Sequence, residues 1–555
     1  VTRPAARSEL VGGDPVTLVT ISWGGRDYRF SDVAVDIDTA DGDVVSYEGG
    51  LEAIAIDESI DALAIEPEFP SVPVSVIFPI DVAEKIEQGQ DLASATAEVA
   101  VHVVGQNYDD RERIVEGQLV EPEYGAANEP VSFSVEGPSL VDTGLTHKAT
   151  EVASDDTWSD PESGTPYYPR VFGRPGAYLK PDGSENVIAG APAIAVEETA
   201  GNVDTLVISK GWSVDSPTGI TIFDGTTTES GFTPVNGLDS LNQKVTKVDI
   251  SGAGVIDRTS GTSYQTLFAG SDSGGILADD GETLLDGAGD WIEHLMRDSV
   301  VEHDRGAFQA LKPRLNLYKV GGYINAAVSP WDWLQEHLFP LLPLSIHPGP
   351  DGAMPILWPL QATETDAVGW IEEGDGATRV SPVTYIQDRG SIIDELRLSF
   401  ARGIDGDRDI FGGSVAVGLS PDIDDTSASL YALSVDAPAA HRTTSKVSPK
   451  DVRKATKPIR TESLTTDIVY DRPTAIRIAS EQLTAKASIV REVSYECDRT
   501  HRYLKKGAVV LLTDSDISLT SKVAIVTGRS PLSSGNIVLT LQLWTIPTRD
   551  LFIAA

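Results

Sequence analysis

The run Gly270-Ser271-Asp272-Ser273-Gly274-Gly275 could present Ser273 as a nucleophile. Acyl transfer at a serine needs a histidine to take the proton and a buried aspartate to hold that histidine. The only histidines upstream are His102 and His147, and neither has neighbours suited to the task. The run reads more simply as a glycine-rich turn. Asp36, Asp38, Asp41 and Asp43 suggest a calcium loop, but they miss EF-hand spacing and its closing glutamate. Asp405-Gly406-Asp407-Arg408-Asp409 has the same oxygen-rich character, with Arg408 opposing a cation. Both read as turns. Gly252-Ala253-Gly254 lacks the third glycine of a dinucleotide fingerprint.

Thiol and imidazole chemistry is equally thin. The single cysteine, Cys497, excludes an intrachain disulfide and a multi-cysteine zinc site, and it reads as a small buried hydrophobe on a strand. His294 and His303 lie near Glu302 without the spacing of a helical metal pair. Carboxylates are too abundant for any glycosidase pair to stand out. The expectation is a chain with no catalytic residue, no metal site and no cofactor.

One cluster departs from the rest of the chain. Between His441 and Arg460 stand Arg442, Lys446, Lys450, Arg453, Lys454, Lys457 and Arg460. The whole protein carries a net charge of -41, so this basic stretch is a local reversal. It reads either as a solvated loop or as a clamp onto an acidic neighbour, which another copy of the chain would supply. Nucleic-acid binding is the weakest reading, because no aromatic residues interleave with the charges. The acidic balance argues against gripping duplex DNA through its phosphates. It fits a saline habitat, a lumen that repels DNA and lets it slide, or both.

At 555 residues the chain is too long for one core, and about three to five domains are expected. A hydrophobic share of 41% and a charged share of 23% are those of a globular protein. No run approaches roughly 18 apolar residues, so no membrane-spanning helix is expected. Val1-Thr2-Arg3-Pro4 lacks the apolar core of a signal peptide, which points to synthesis in a cytoplasm without export by the usual route.

The patterning predicts a mainly β, multidomain protein with some α. Val16–Ile21, Val72–Phe78, Glu98–Val104 and Val131–Val135 alternate as strands, with a short helix over Asp81–Ile86. Residues 1–150 therefore read as an N-terminal β-barrel. A polar linker follows, then an inserted all-β domain over 165–285, with a short apolar run at Ala193–Val196 and strands at Thr205–Ser209 and Gly219–Phe223. Residues 286–365 form a mixed helical segment. Trp291, Ile292 and Leu295 share a helical face there, and Ser329-Pro330-Trp331-Asp332 is a helix start with a cap, an N1 proline and an acidic first turn. Residues 366–470 read as a β-rich segment that includes Ile393–Phe400, Leu430–Val435 and the basic loop. Residues 471–555 read as a C-terminal β-barrel domain that opens with a helix over Thr474–Lys486, with Ile476, Ala479 and Leu483 on one face.

Three stretches resemble a known family. Tyr167-Tyr168-Pro169-Arg170-Val171-Phe172-Gly173-Arg174-Pro175 resembles a segment of phage tail-tip proteins. Leu315–Leu344, with Tyr323-Ile324-Asn325 and Ser329-Pro330-Trp331-Asp332-Trp333-Leu334, resembles the middle of tail hub proteins. Arg472-Pro473-Thr474 through Gly507 to Leu543 resembles their closing barrel. The family is the tail hub, or baseplate hub, of siphophages and related particles, and 165–285 is the stretch it covers least.

The resemblance implies a homotrimer in which two barrels per subunit make a ring of six similar units. It also implies a virion location at the tail tip. The neighbours would be the distal tail and tail tube proteins, the tape measure protein, and fibres or a spike, with DNA passing through unbound. The alternative is a host-surface, carbohydrate-binding adhesin. It is suggested by the Gly/Thr-rich insertion and nine tryptophans, although a tryptophan more often fills a core. A hydrolase with an unrecognised site is the third reading.

Overall fold

A computed structural model describes residues 15–54, 58–59, 71–126, 129–137, 168–173, 175–179, 185–187, 190–210, 214, 219–238, 244–259, 261–267, 284–326, 328–349, 352–358, 360, 362–386, 393–402, 411–419, 460–532, 536–545 and 551–554. The chain is mainly β, as the patterning predicts, with several sheets and few helices. Leu430–Val435 lies outside the described residues.

The first sheet runs from Pro15 to Glu136 in the order Val35–Asp38, Val44–Gly49, Arg26–Ser31, Pro15–Trp23, Thr96–Val103, Glu112–Glu123, Val131–Glu136, Ser71–Val76, Leu51–Ile54. Written as a line it has two ends, yet it closes. Val44–Gly49 and Leu51–Ile54 are one strand interrupted at Gly50. The first half pairs with Arg26–Ser31 and the second with Ser71–Val76. At the break, Gly50 N donates to Ser31 O (3.3 Å) and Ile77 N donates to Gly50 O (2.9 Å). Gly50 does this at φ +155°, which side-chain-bearing residues rarely adopt.

Inward-facing residues alternate along each strand and fill the barrel with Val19, Ile21, Val74, Val99, Leu119 and Val135. Phe78 gathers Trp23, Tyr28 and Phe30 around it at ring separations of 5.1–6.0 Å. Helix α1 (Val82–Glu87) is capped by Asp81, whose carboxylate accepts from Glu84 N, and it buries Val82. The hairpin Val35–Gly49 folds back over the outer wall. There Ile37 and Tyr47 cover Val16, Leu18 and Ala100 in a small second core.

The inserted all-β region closes by the same device. Its strand path runs Thr228–Phe232, Ile220–Phe223, Tyr264–Leu267, Ala191–Thr199, Asn202–Lys210, Lys244–Asp249, Val235–Leu238. The two end strands are consecutive in the chain, parted by Thr233 and Pro234, so the path returns on itself. The core of this region is continuous with the helical layer beneath it. Phe172 stacks on Trp291 at 4.1 Å and meets Trp333 edge-on at 5.5 Å. Arg170 is pinned beside them by Asp298 at 2.8 Å.

The helical layer holds α2 (Ala288–Met296), α3 (Arg305–Leu315) and α4 (Pro330–Trp333). Ser329 caps α4 as expected, its hydroxyl accepting from Asp332 N at 3.1 Å. Against this layer lies a four-stranded sheet, ordered Thr461–Thr465, Glu395–Arg402, Phe411–Leu419, Leu551–Ala554. Helix α5 (Arg472–Ala487) packs on the sheet through Ile476, Ala479 and Leu483.

The last barrel is closed in full. Its ring is Gly376–Arg379, Gly369–Glu373, Val509–Asp514, Leu519–Pro531, Ile537–Thr545, Ile489–Cys497, and back to Gly376–Arg379. Two of the six walls come from 369–379, upstream of the 471–555 stretch in which local patterning places the barrel. Gly369–Glu373 pairs in parallel with Val509–Asp514, a contact that no local turn signal can reveal.

Candidate functional site

Among the described residues no catalytic constellation assembles, and the feature that stands out is the joint between the two end barrels. Glu58–Ser59, on the segment between two N-terminal strands, pairs antiparallel with Gly528 and Arg529 of the last barrel. Arg529 is buried and its guanidinium grips Glu112 with both nitrogens, at 2.6 and 3.0 Å. Its Nη2 also donates to Arg502 O at 3.0 Å. Burial lowers the Arg502 pKa, with Glu112 acting against burial and Arg529 and Arg499 adding to it. Glu112 is thus the carboxylate facing a cationic pocket on the last barrel. A fork-to-fork pair of this kind fixes orientation as well as contact. Residues 417 positions apart meet here, so no sequence signal marked them.

Arg442, Lys446, Lys450, Arg453, Lys454 and Lys457 lie outside the described residues. Arg460 is exposed at the start of Thr461–Thr465, where its N–H donates to Asp394 at 3.3 Å and its carbonyl accepts from Asp394 and Glu395.

Ser273, His147 and the Asp405–Asp409 run lie outside the described residues. His102 is buried on a barrel strand. Cys497 is buried, and burial, then Asp498 and Glu496, push its thiol up to about 12, leaving it protonated and unreactive. Asp36 and Asp38 sit on a hairpin strand, and Asp41 and Asp43 in its turn, where Thr39 N donates to Asp43 O at 2.8 Å. In Gly252-Ala253-Gly254 the last N–H donates to Glu229. No group of three or more His, Cys, Asp or Glu among the described residues is placed to hold a metal.

His294 stacks on Trp291 at 5.1 Å, and burial, then Arg170 and Arg297, lower its pKa to about 2. His303 Nδ1 lies 2.9 Å from Val301 O. Trp23, Trp291, Trp331, Trp333 and Trp358 are all buried. Trp158 and Trp212 lie outside the described residues.

Two concavities stand out among the described residues. A cavity of about 130 Å³ lies between α2 and α3, with Glu293 on its rim held by Lys312 at 2.7 Å. A broad groove of about 870 Å³ separates the helical layer from the last barrel, lined by Arg314, Met354, Trp358, Val368, Tyr503 and Lys505. The first is lined by Glu293, Arg297, His303 and Lys312 as well as by apolar side chains, with Glu293 and Lys312 paired to one another, and the second is lined mainly by apolar groups.

No family model matches the chain, and no curated protein matches it. Among solved structures it is similar to a chain in the virion of a native gene transfer agent particle, at 15% identity, over 50% of this chain and 84% of that one, with a TM-score of 0.18.

Proposed function

We propose that this chain is a structural, non-enzymatic hub of a phage-type tail tip or baseplate, acting as a homotrimer in the virion. The observation that carries the reading is the pair of barrels at the two ends of one chain, locked side by side through Arg529 and Glu112. Three such pairs make a ring of six alternating barrels with threefold symmetry. That geometry joins a sixfold tube to threefold tip parts, which is the task of a hub.

The ring would be built in the host cytoplasm and meet the tail tube and distal tail proteins above. Fibres or a spike would sit below, and the tape measure protein would occupy the centre. A net charge of -41 repels phosphate and favours passage of DNA without binding. No separate observation favours the adhesin reading, since the tryptophans described are core residues or half-buried on barrel strands.

The test is the mass of the purified full chain by light scattering at moderate and at high salt. The hub reading expects a trimer, strengthened by salt that screens the acidic surface. A monomer in both, at every concentration reached, would contradict it. A glycan array would show specific binding only if the adhesin reading is right.

A further inference from the structure

Each end barrel has one wall committed to its partner within the chain, and the opposite wall shows what is left over. In the last barrel the committed wall is Leu519–Pro531, which carries Arg529. Three strands round the ring in either direction is Gly376–Arg379. The chain continues from there into Thr384–Tyr385, which pairs with Ile489–Cys497 on one side and, among the described residues, with nothing on the other. An unpaired edge is a template for another strand unless it is blunted by charge. This one is not. Thr384, Tyr385 and Ile386 carry no charge, and Tyr385 is 70% exposed. Val380, Ile386 and Ile489 are exposed around it. Arg491 lies directly across from Tyr385 and is the cation beside the exposed ring, while Glu492 lies across from Thr384.

The N-terminal barrel repeats the arrangement with the opposite character. Its committed wall begins at Glu112. Three strands away in each direction are Arg26–Ser31 and the broken strand Val44–Ile54. From the latter hangs Val35–Asp38, whose outer edge is likewise unpaired among the described residues. Ile37 and Tyr47 anchor the hairpin from beneath. Val33, 64% exposed, and Val44, 57% exposed, stand beside that edge. Here the blunting charges are present: Asp32, Asp36, Asp38, Asp41 and Asp43 are all exposed. Two such acidic edges repel one another, so the strand is barred from its own kind and left for an uncharged edge with a cation beside it.

We propose that the Val35–Asp38 edge of one copy docks on the Thr384–Tyr385 edge of the next, with Val33 and Val44 covering Tyr385 and Ile386. The contact is heterologous, joining unlike walls, and a heterologous contact that closes makes a ring. The inference rests on the hub reading and names the surface through which its copies meet.

Cysteine pairing tests it in the full chain, because the native Cys497 is buried and unreactive. A chain carrying both Val33→Cys and Tyr385→Cys is expected to link between copies under mild oxidation, up to closed trimers on a denaturing gel. Either single variant should stay unlinked. Separately, Tyr385→Glu with Ile386→Glu should raise the trimer dissociation constant at least tenfold while leaving circular dichroism unchanged, and Val380→Glu should act in the same direction.

A trimer that neither links nor weakens overturns this surface and leaves the hub reading standing. Linking by Tyr385→Cys alone overturns the heterologous contact in favour of like meeting like. A monomer under all conditions overturns both.

Discussion

The two end barrels close in different ways, and the difference says where each is strong. The N-terminal barrel is sequential, with all its strands between Pro15 and Glu136, and it shuts through one broken strand at Gly50. Its interior is apolar throughout, with an aromatic cluster around Phe78. The last barrel is assembled from two distant stretches, 369–379 and 489–545, and it shuts through a three-residue seam from Ala377 to Arg379.

That seam has its own device. Gly376 stands at φ +72°, and a Cβ there would come within 2.6 Å of the Asp498 carboxylate. Inside the last barrel is a buried polar pair: Tyr495 donates to Asp514 at 2.7 Å, with Arg379 at 3.7 Å from the same carboxylate. Burial first, and then Asp514, raise the Tyr495 pKa, so the phenol remains a donor at any ordinary pH. The barrel with the harder assembly problem therefore carries the more specific interior. A satisfied polar pair in a core selects one register, at the cost of severe damage if half of it is lost.

The strongest challenge to this contrast is Asp514→Ala. Asp514 is fully buried, and its removal strands Tyr495 and leaves Arg379 without it, for an expected loss of about 3 kcal/mol. Hydrogen exchange read by mass spectrometry should speed up across 489–545 and 369–379, with the N-terminal barrel unchanged. Equal acceleration in both barrels would mean that they unfold as one unit.

Next in size is Glu112→Gln, which leaves Arg529 buried without its counter-charge. Glu112 is itself partly exposed, so the expected loss is about 2 kcal/mol, below the range for a fully buried pair. It should fall on the joint, uncoupling the unfolding transitions of the two barrels.

Acid should act mainly on the body between the barrels. Burial, then Arg170 and Arg297, hold His294 at about 2, and burial, then Lys506, hold His347 at about 3. Both are neutral when folded and titrate near 6.5 when unfolded, so below that pH the unfolded chain binds more protons. Stability is expected to fall as pH drops from about 6.5, by about 1 kcal/mol per histidine at one pH unit lower. Urea midpoints at pH 7.5, 6.5 and 5.5 measure it. His347→Gln should flatten the fall, and an unchanged slope would remove His347 from the account.

The smallest effect belongs to Tyr47→Phe. That hydroxyl bonds Thr20 at 2.8 Å and Tyr108 at 3.2 Å beneath the outer hairpin, outside the main core. About 1 kcal/mol is expected, confined to exchange within 35–49. A loss as large as that of Asp514→Ala would erase the contrast between the barrels.

The sequence disclosed elements better than their partners. Patterning in the sequence places strands at Val131–Val135 and Ile537–Leu543, inside the observed Val131–Glu136 and Ile537–Thr545, because a half-buried strand writes its burial in every second residue. Ser329-Pro330 marks a helix start, because capping is local. The joint was not legible. Glu112 and Arg529 have ordinary neighbours, and only the folded chain brings them together. Gly369–Glu373 is a short parallel wall that alternates like any other strand. Its place in the last barrel depends on pairing across more than a hundred residues. Gly50 is the second of two adjacent glycines, and nothing local to it says that it lets one strand serve two walls. The basic stretch from Arg442 to Lys457 shows the reverse case, a plain signal in the sequence that lies outside the described residues.

The central claim is that one chain supplies two unlike barrels to a closed ring, and end-on electron micrographs of the purified protein test it most directly. The account predicts particles with three repeats, each showing two lobes around an open centre. Class averages of a single elongated particle, or of a twofold dimer, would contradict it.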